Sequence, residues 1–425
     1  MTKRILHITT HMGGGVGKVL SGISTYASVH RDSYSHDIML LEEPEKRQFV
    51  ELCQKNNISV RVAKNHTDIA EAMKMADIVQ LEWWHHPLMC GFLAEFPQIP
   101  IRLVIWSHIS GCYYPWIPDE FLMLPHKFVF TSQYSYDNPY WQQDVKKWAK
   151  FNCAMVNSSG NLFSIDKKSE VEKQKDRFCV GYMGTLAFSK LHPDFVEFCK
   201  VATRIPHITF RLAGDMDNAK KISEQAVKLG IADKIKFSGY VQDVNREFVQ
   251  MDVFGYILNS HHFGTTENVL LEAMDAGLPV VCLQQCAEQY LIEHNNTGML
   301  VRNMEEYRET LEYLFANPQE RRRLGENARF FVRDNFSLDK TVKKLNHIYD
   351  EVLHFTKRCF AFDDVFGRKP EQFFESCLPP PLCAKFPYIK KWPHILCGTS
   401  KSSLLHFQHF YPNDRTLQEW CKYLP

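Results

Sequence analysis

The feature that most limits how this chain can fold is a regular alternation, met twice, of short buried strand-like runs with helix-like stretches. Arg4 to Thr10 reads as a strand, and HDIMLL, ISVRVA, DIVQLEW, RLVIWSH and KFVFTS follow, most of them separated by a helical pattern. A second series begins with FCVGYMG and continues through ITFRLAGD, IKFSGYV, VFGYIL, PVVCL and GMLV. Strands alternating with helices require parallel pairing, because each strand must be carried back over the sheet by its helix. The expected fold class is therefore α/β, with two facing Rossmann-like doubly wound domains, an interdomain cleft and an irregular C-terminal extension. At 425 residues the chain exceeds one compact core and suits two domains plus an extra piece. The boundaries read as 1–170, 171–355 and 356–425, and the polar, aperiodic run from Ser158 to Arg177 is the linker.

Ligands in such sheets bind beyond the carboxyl ends of the strands, so the polar residues there carry the functional reading. HMGGGVGK follows the first strand and opens a helix. It is not a Walker A loop, because Met12 stands where the first glycine belongs and Val19 where Ser or Thr would hold magnesium. Three successive glycines also miss the dinucleotide spacing. A loop whose backbone at Gly14 and Gly15 approaches a ligand remains, beside the plain alternative of a tight turn. Glu82-Trp83-Trp84-His85-His86 and Ser107-His108 close two further strands. Trp84 and His85 suggest a wall for a sugar or an acceptor, although a packed aromatic pair reads equally well. Adjacent histidines on a strand point to opposite sides and do not share a metal easily. His108 can hydrogen-bond a ligand hydroxyl, and a satisfied structural histidine fits as well.

In the second series HHFGTTENVLLEAMDAG runs a polar glycine-containing loop into an amphipathic helix. Thr265 and Thr266 are N-cap types and Glu267 adds a carboxylate in the first turn. Leu270, Ala273, Met274 and Gly277 fall on a core face, with Glu272 among them.

Formal net charge is +1, which argues against nucleic acid as the main partner. No run approaches the ~18 to 20 apolar residues of a membrane span, and MTKRILHITT turns polar too early for a signal peptide. The chain is expected in the cytoplasm. Its thirteen cysteines, spread through strands and helices, read as buried free thiols. The last seventy residues are dense in proline and aromatics, and Cys377, Cys383, Cys397, His394, His406 and His409 lack the close spacing of a zinc knuckle. That tail is expected to pack on the domains or on a partner, with a peripheral contact at the inner face of a membrane left open.

Taken together and in order, FRLAGD, LGIADKIKFSGYVQDV, MDVFGYILNS, ENVLLEAMDAGLPVV and NNTGMLV resemble the nucleotide-sugar half of the retaining GT-B glycosyltransferases, specifically glycosyltransferase family 4. The match covers about Phe178 to Leu353; the first half is similar in architecture, in the GGGVG loop and in the strand ends near Trp84 and His108. The resemblance implies transfer of a sugar from a UDP-, GDP- or ADP-sugar to a hydroxyl of a glycan, lipid-linked glycan or small molecule, with no cofactor and no metal. It places Glu272 on the donor ribose, Lys190 on the diphosphate, the backbone near Val241 at the base, and His108 beside the sugar. The family's first glutamate falls on Gly264, so either the backbone of Gly264 to Thr266 or the nearby Glu267 takes over that contact, or the activity is altered; Gly264, Thr265, Thr266, Glu267 and Asn268 are the donor-binding candidates of this loop. Thr185 stands where the family has an arginine, and Cys286-Ala287 replaces a double glycine. His108, Lys190 and Glu267 are the candidate catalytic residues, and Trp84 and His85 the acceptor side. Two rival readings are a nucleotide-sugar epimerase of the same fold and a binding protein that has lost the reaction.

Overall fold

In the computed structural model, residues 2–158, 177–241, 243–398 and 401–425 are described, and they form two compact units. The first comprises the described residues of 1–161, 263–266 and 338–425. Its sheet contains β1 (Lys3–Thr9), β2 (Tyr34–Leu40), β3 (Val60–Val62), β4 (Ile78–Trp83), β5 (Leu103–Ser107), β6 (Lys127–Phe130) and β7 (Ala154–Met155). They lie side by side, all parallel, in the order β3-β2-β1-β4-β5-β6-β7. The order reverses between β1 and β4, which opens a crevice at their carboxyl ends.

Every residue of β4 and β5 is buried, as a sheet covered on both faces demands. Leu6, Ile8, Leu81 and Trp83 pack on one face, Ile5, Ile38, Val104 and Trp106 on the other. The second of these faces is closed by the helix Leu338–Leu353, through Val342, Leu345 and Tyr349. That helix was expected in the second domain; its apolar stripe belongs to the first unit's core. The C-terminal extension covers the opposite face, where Phe362, Phe366, Phe374 and Phe407 join Trp83 and Phe121. Its helices, such as Pro370–Glu375 and Leu404–Phe410, are short because Pro and aromatic residues interrupt any longer period.

The second unit comprises the described residues of 162–262 and 267–337. Its six parallel strands are β8 (Phe178–Met183), β9 (Ile208–Ala213), β10 (Ile235–Gly239), β11 (Val253–Tyr256), β12 (Val280–Leu283) and β13 (Met299–Val301), ordered β10-β9-β8-β11-β12-β13. Here the reversal falls between β8 and β11. The helix Asn268–Asp275 ends at Gly277, whose φ of +78° is a left-handed conformation that glycine adopts without a Cβ penalty. A Cβ on Gly325 of the crossing helix would lie 2.0 Å from the Gly277 carbonyl oxygen, so this crossing depends on two glycines. The expected linker, apart from its ends, lies outside the described residues.

Candidate functional site

In the second unit the segment after β8 is zipped to the segment after β11. Leu191 bridges Leu258, the Asn259 amide donates to the Lys190 carbonyl at 2.7 Å, and the His192 amide donates to the Ile257 carbonyl at 3.1 Å. This ladder aims Lys190 across the mouth of the crevice. Its Nζ lies 2.9 Å from Glu267 Oε2 and 5.9 Å from the centre of the Tyr256 ring. The Tyr256 hydroxyl donates to the same carboxylate oxygen at 2.6 Å. Two of the three candidate catalytic residues are thus brought into direct contact, and Tyr256, which sequence reasoning passed over, completes the group. The signal available was a polar-tipped aromatic at the last position of a buried strand.

Glu267 is 4% exposed. Burial by itself raises its pKa; Lys190 first, then His262 and the Tyr256 hydroxyl, more than offset this and hold it below the usual carboxylate range. Tyr256 moves the opposite way, pushed well up by burial and by the carboxylate beside it. The site therefore presents a charged lysine already matched by a buried charge.

Several expectations shift. The helix begins at Asn268 with Glu267 as its cap residue, and that side chain makes no capping bond because it is turned to Lys190 and Tyr256. Thr265 and Thr266 are buried rather than capping, and the Thr266 hydroxyl donates to the Thr131 carbonyl at 2.7 Å. Glu272 is only half-buried, one turn into the helix, while the fully buried glutamate of this stretch is Glu267. Thr185 follows β8 and its carbonyl accepts from Tyr182. Half-buried Val241 follows β10 and packs on the unit's core, and Gly264 and Asn268 are half-buried in the loop and at the helix start.

In the first unit Gly13 caps the helix Gly14–His30, and both Gly14 and Gly15 are exposed at its N-terminus, Gly14 at a φ of +64°. The glycine run leaves these first amides open to an anion. His108 follows β5, and its Nε2 donates to Glu82 Oε2 at 2.7 Å. Glu82 is wholly buried and also receives His7 Nδ1 and Gln80 Nε2, each at 2.8 Å on Oε1. His7 Nε2 meets His36 Nδ1 at 2.8 Å, and the Tyr349 hydroxyl donates to Gln80 at 2.8 Å. Burial opposes the Glu82 charge, but the bonds from His108 and then His7 bring its pKa down to about 2. A carboxylate on Nε2 fixes the His108 ring and leaves Nδ1 to meet a ligand hydroxyl. Glu82, His7 and Gln80 were visible as polar residues alternating inside otherwise apolar strands.

His85 does not line an acceptor wall. It is 0% exposed, its Nε2 donates to the Phe373 carbonyl at 3.0 Å, and Tyr114 and Phe407 flank its ring. The extension, whose sequence carries no periodicity, covers it. Trp84 stays half-buried, with His11 against its ring edge and Lys401 5.1 Å above its face. Around it, His11 Nδ1 accepts from the Gly13 amide and His86 Nδ1 from the Leu88 amide. Burial, then Lys401, lowers the His11 pKa to about 4; burial first lowers that of His86 as well. Both rings are neutral at pH 7. His86 carries its proton on Nε2, 3.7 Å from Glu42 Oε1, whereas His11 Nε2 meets Lys401 Nζ at 2.7 Å and lies 3.9 Å from the same carboxylate oxygen. A ring N–H donor and a carboxylate at that spacing suit an inserted hydroxyl, which accepts from one and donates to the other.

Comparison with known proteins bears on the second unit most directly. Residues 164–330 match the family model described as glycosyl transferases group 1. This segment is similar to the group 1 glycosyltransferases. It carries Lys190, Tyr256 and Glu267. Among curated proteins, the lipopolysaccharide core biosynthesis glycosyltransferase LpsE of Rhizobium meliloti is 23% identical over 199 residues, 46% of this chain and 55% of that protein. N-acetyl-alpha-D-glucosaminyl L-malate synthase of Bacillus anthracis is 28% identical over 158 residues, 37% of this chain and 40% of its own length. The chain thus spans about half the length of the curated relatives it matches, or less. Solved structures extend the likeness beyond the matched segment. A glycosyltransferase from Rickettsia africae superposes with a TM-score of 0.66 at 17% identity, covering 83% of this chain and 99% of that one. Anabaena HepE in complex with UDP and glucose gives 0.64 at 17% identity, over 82% and 100%. These likenesses show the fold, which is GT-B. Among the described residues no helix is long and apolar enough to cross a membrane.

Proposed function

We propose that the chain is a retaining glycosyltransferase that moves a sugar from a nucleotide-sugar donor to a hydroxyl acceptor without a catalytic metal. The observation that carries this reading is the Lys190–Glu267–Tyr256 group at the carboxyl ends of β8 and β11, inside the matched segment. A diphosphate arriving there draws the Lys190 ammonium from Glu267, and the lysine then stabilises the charge that grows on the leaving group. Glu267 acts as a positioning residue, holding Lys190 charged and aimed before the donor binds. Glu272 serves the ribose and the backbone near Val241 the base, as the family resemblance implies. With no dedicated protein base, the departing phosphate takes the acceptor proton as the new bond forms on the same face.

His108, held by Glu82, offers Nδ1 to a sugar hydroxyl. Trp84, with the neutral His11 and His86 and the Glu42 carboxylate, forms the acceptor side, suited to a polyhydroxylated molecule. HepE was solved with UDP and glucose, which makes UDP-sugars the first donors to try. Binding without transfer is the second reading, and one observation favours it: Lys190 is already neutralised and Thr185 supplies no second cation.

Thermal-shift screening of UDP-, GDP- and ADP-sugars, followed by nucleotide-release assays with glycan and lipid-linked acceptors, tests the proposal. Release that needs both substrates, with the anomeric configuration kept in the product, is the expected result. Donor binding with no transfer to any acceptor overturns it in favour of a binding protein. A new free epimer formed from donor alone overturns it in favour of an epimerase.

A further inference from the structure

Two clusters among the described residues bring three metal-ligating side chains together: His11, Glu42 and His86 in the first unit, and His262, Cys286 and Glu288 in the second. The first is ill suited to a metal. His86 uses Nδ1 to accept a backbone N–H and so carries its proton on Nε2, and His11 Nε2 is taken by the Lys401 ammonium at 2.7 Å, a cation that opposes a metal ion beside it.

The second cluster is more deeply buried and sets a thiol beside the imidazole and the carboxylate. His262, Cys286 and Glu288 are 2%, 6% and 1% exposed, and their ligand atoms all lie within 4.8 Å of one another. His262 ends the segment after β11, Cys286 follows β12, and Glu288 opens the helix Glu288–Leu291. Both carboxylate oxygens of Glu288 lack a hydrogen-bond partner among the described residues. Oε1 lies 3.0 Å from His262 Nε2. A buried carboxylate is costly unless a cation meets it; without a metal that cation is the His262 imidazolium, whose pKa, against the lowering effect of burial, Glu288 raises well above the usual value, and a metal ion would take the place of its proton. Ligand atoms around a tetrahedral zinc, with arms of about 2.0 to 2.3 Å, sit roughly 3.3 to 3.8 Å apart. The observed cluster needs a contraction of at most about 1.0 to 1.5 Å to reach that geometry.

We propose that His262 Nε2, the Cys286 thiolate and the Glu288 carboxylate bind a zinc ion that ties the loop after β11 to the loop after β12. Thiolate and imidazole together select zinc over magnesium or calcium, and thiolate plus carboxylate neutralise its two charges inside the unit. Binding releases the thiol proton that otherwise bonds the Ser260 carbonyl at 3.3 Å. Ligation through Nε2 leaves Nδ1 of His262 toward Glu267, 4.0 Å from Oε1, so the ion stiffens the loop that delivers Glu267. The fourth position is open to a water. This inference does not depend on the transferase reading.

The full chain is expressed with zinc in the medium, dialysed against metal-free buffer and analysed for metal by mass spectrometry. One equivalent of zinc per chain is expected, with a loss of about tenfold or more in Cys286→Ser and His262→Ala and retention in Glu42→Gln. Cobalt added to apoprotein, checked as folded by circular dichroism, reports the thiolate directly through its sulfur-to-cobalt absorption band, which disappears in Cys286→Ser. Should Cys286→Ser fail to fold, Glu288→Gln, which preserves size, is expected to keep that band and to bind zinc about tenfold more weakly. Wild type that carries no zinc and gives no cobalt band, or zinc retained equally in all variants, overturns the assignment.

Discussion

Glu82 in the first unit and Glu267 in the second are both deeply buried at or just beyond the carboxyl end of a parallel sheet, and both are held as carboxylates, yet by opposite means. Glu82 is satisfied by hydrogen bonds from His108, His7 and Gln80, extended through His36 and Tyr349. Glu267 is satisfied by an ammonium, Lys190, with Tyr256 in support. A carboxylate held by imidazole and amide donors builds a hydrogen-bonding surface, fit to orient hydroxyls. A carboxylate paired with a mobile lysine stores a cation that an incoming diphosphate can take. Under the proposed function, sugar and acceptor recognition falls to the first unit and leaving-group chemistry to the second.

The sharpest break of this comparison is Lys190→Ala. Turnover in a nucleotide-release assay is expected to fall about 10²- to 10³-fold, the range for losing a principal electrostatic stabiliser, and calorimetry is expected to show weakened diphosphate binding. Turnover unchanged in Lys190→Ala removes the chemistry from the second unit. Next in size is Glu82→Ala, which leaves His7, His108 and Gln80 without their acceptor. It is expected to cost about 3 kcal/mol or more of stability, read by denaturant unfolding.

The same contrast has a pH signature. The Glu82 pKa is depressed in the fold from 4.5 to about 2, so its contribution to stability is complete above about pH 4.5 and is lost as pH falls toward 2. Glu267 is shifted in the same direction, with the same sign. Unfolding midpoints measured from pH 6 down to 3 are expected to drop steeply in wild type and less steeply in Glu82→Gln. An equal slope in both would place the acid sensitivity elsewhere.

His85→Ala separates packing from recognition. A cost of about 2 kcal/mol in stability is expected from the lost Phe373 bond and ring contacts, with the acceptor KM unchanged. A raised acceptor KM at normal stability would return His85 to the site. The smallest effect belongs to Thr185→Arg, which supplies the second cation that the family resemblance implies. Donor affinity is expected to rise about fivefold, since a partly exposed charge-assisted contact is worth roughly 1 kcal/mol. No gain would mean that the Lys190–Glu267 pair already suffices.

How much of this was legible from residues alone depends on the range of the interaction. The two α/β series, the strand ends at Trp84, Ser107 and Gly184, and the loop leading into Asn268 follow from local periodicity and glycine placement, which act within a few residues. The placement of Lys190 and Glu267 near the ends of strands was also legible, through the motif order. Their mutual contact was not, because it depends on β8 and β11 being neighbours in the sheet. The same reason hid the Glu82 network, whose members come from β1, β2, β4, the end of β5 and the helix Leu338–Leu353. His85 was misplaced because its surroundings are supplied by the C-terminal extension, far along the chain and without a repeating pattern. The sequence by itself thus determined which elements form and which positions reach the strand ends. Only the tertiary structure decided which charges meet, since strand order and long-range packing bring together side chains that no local period connects.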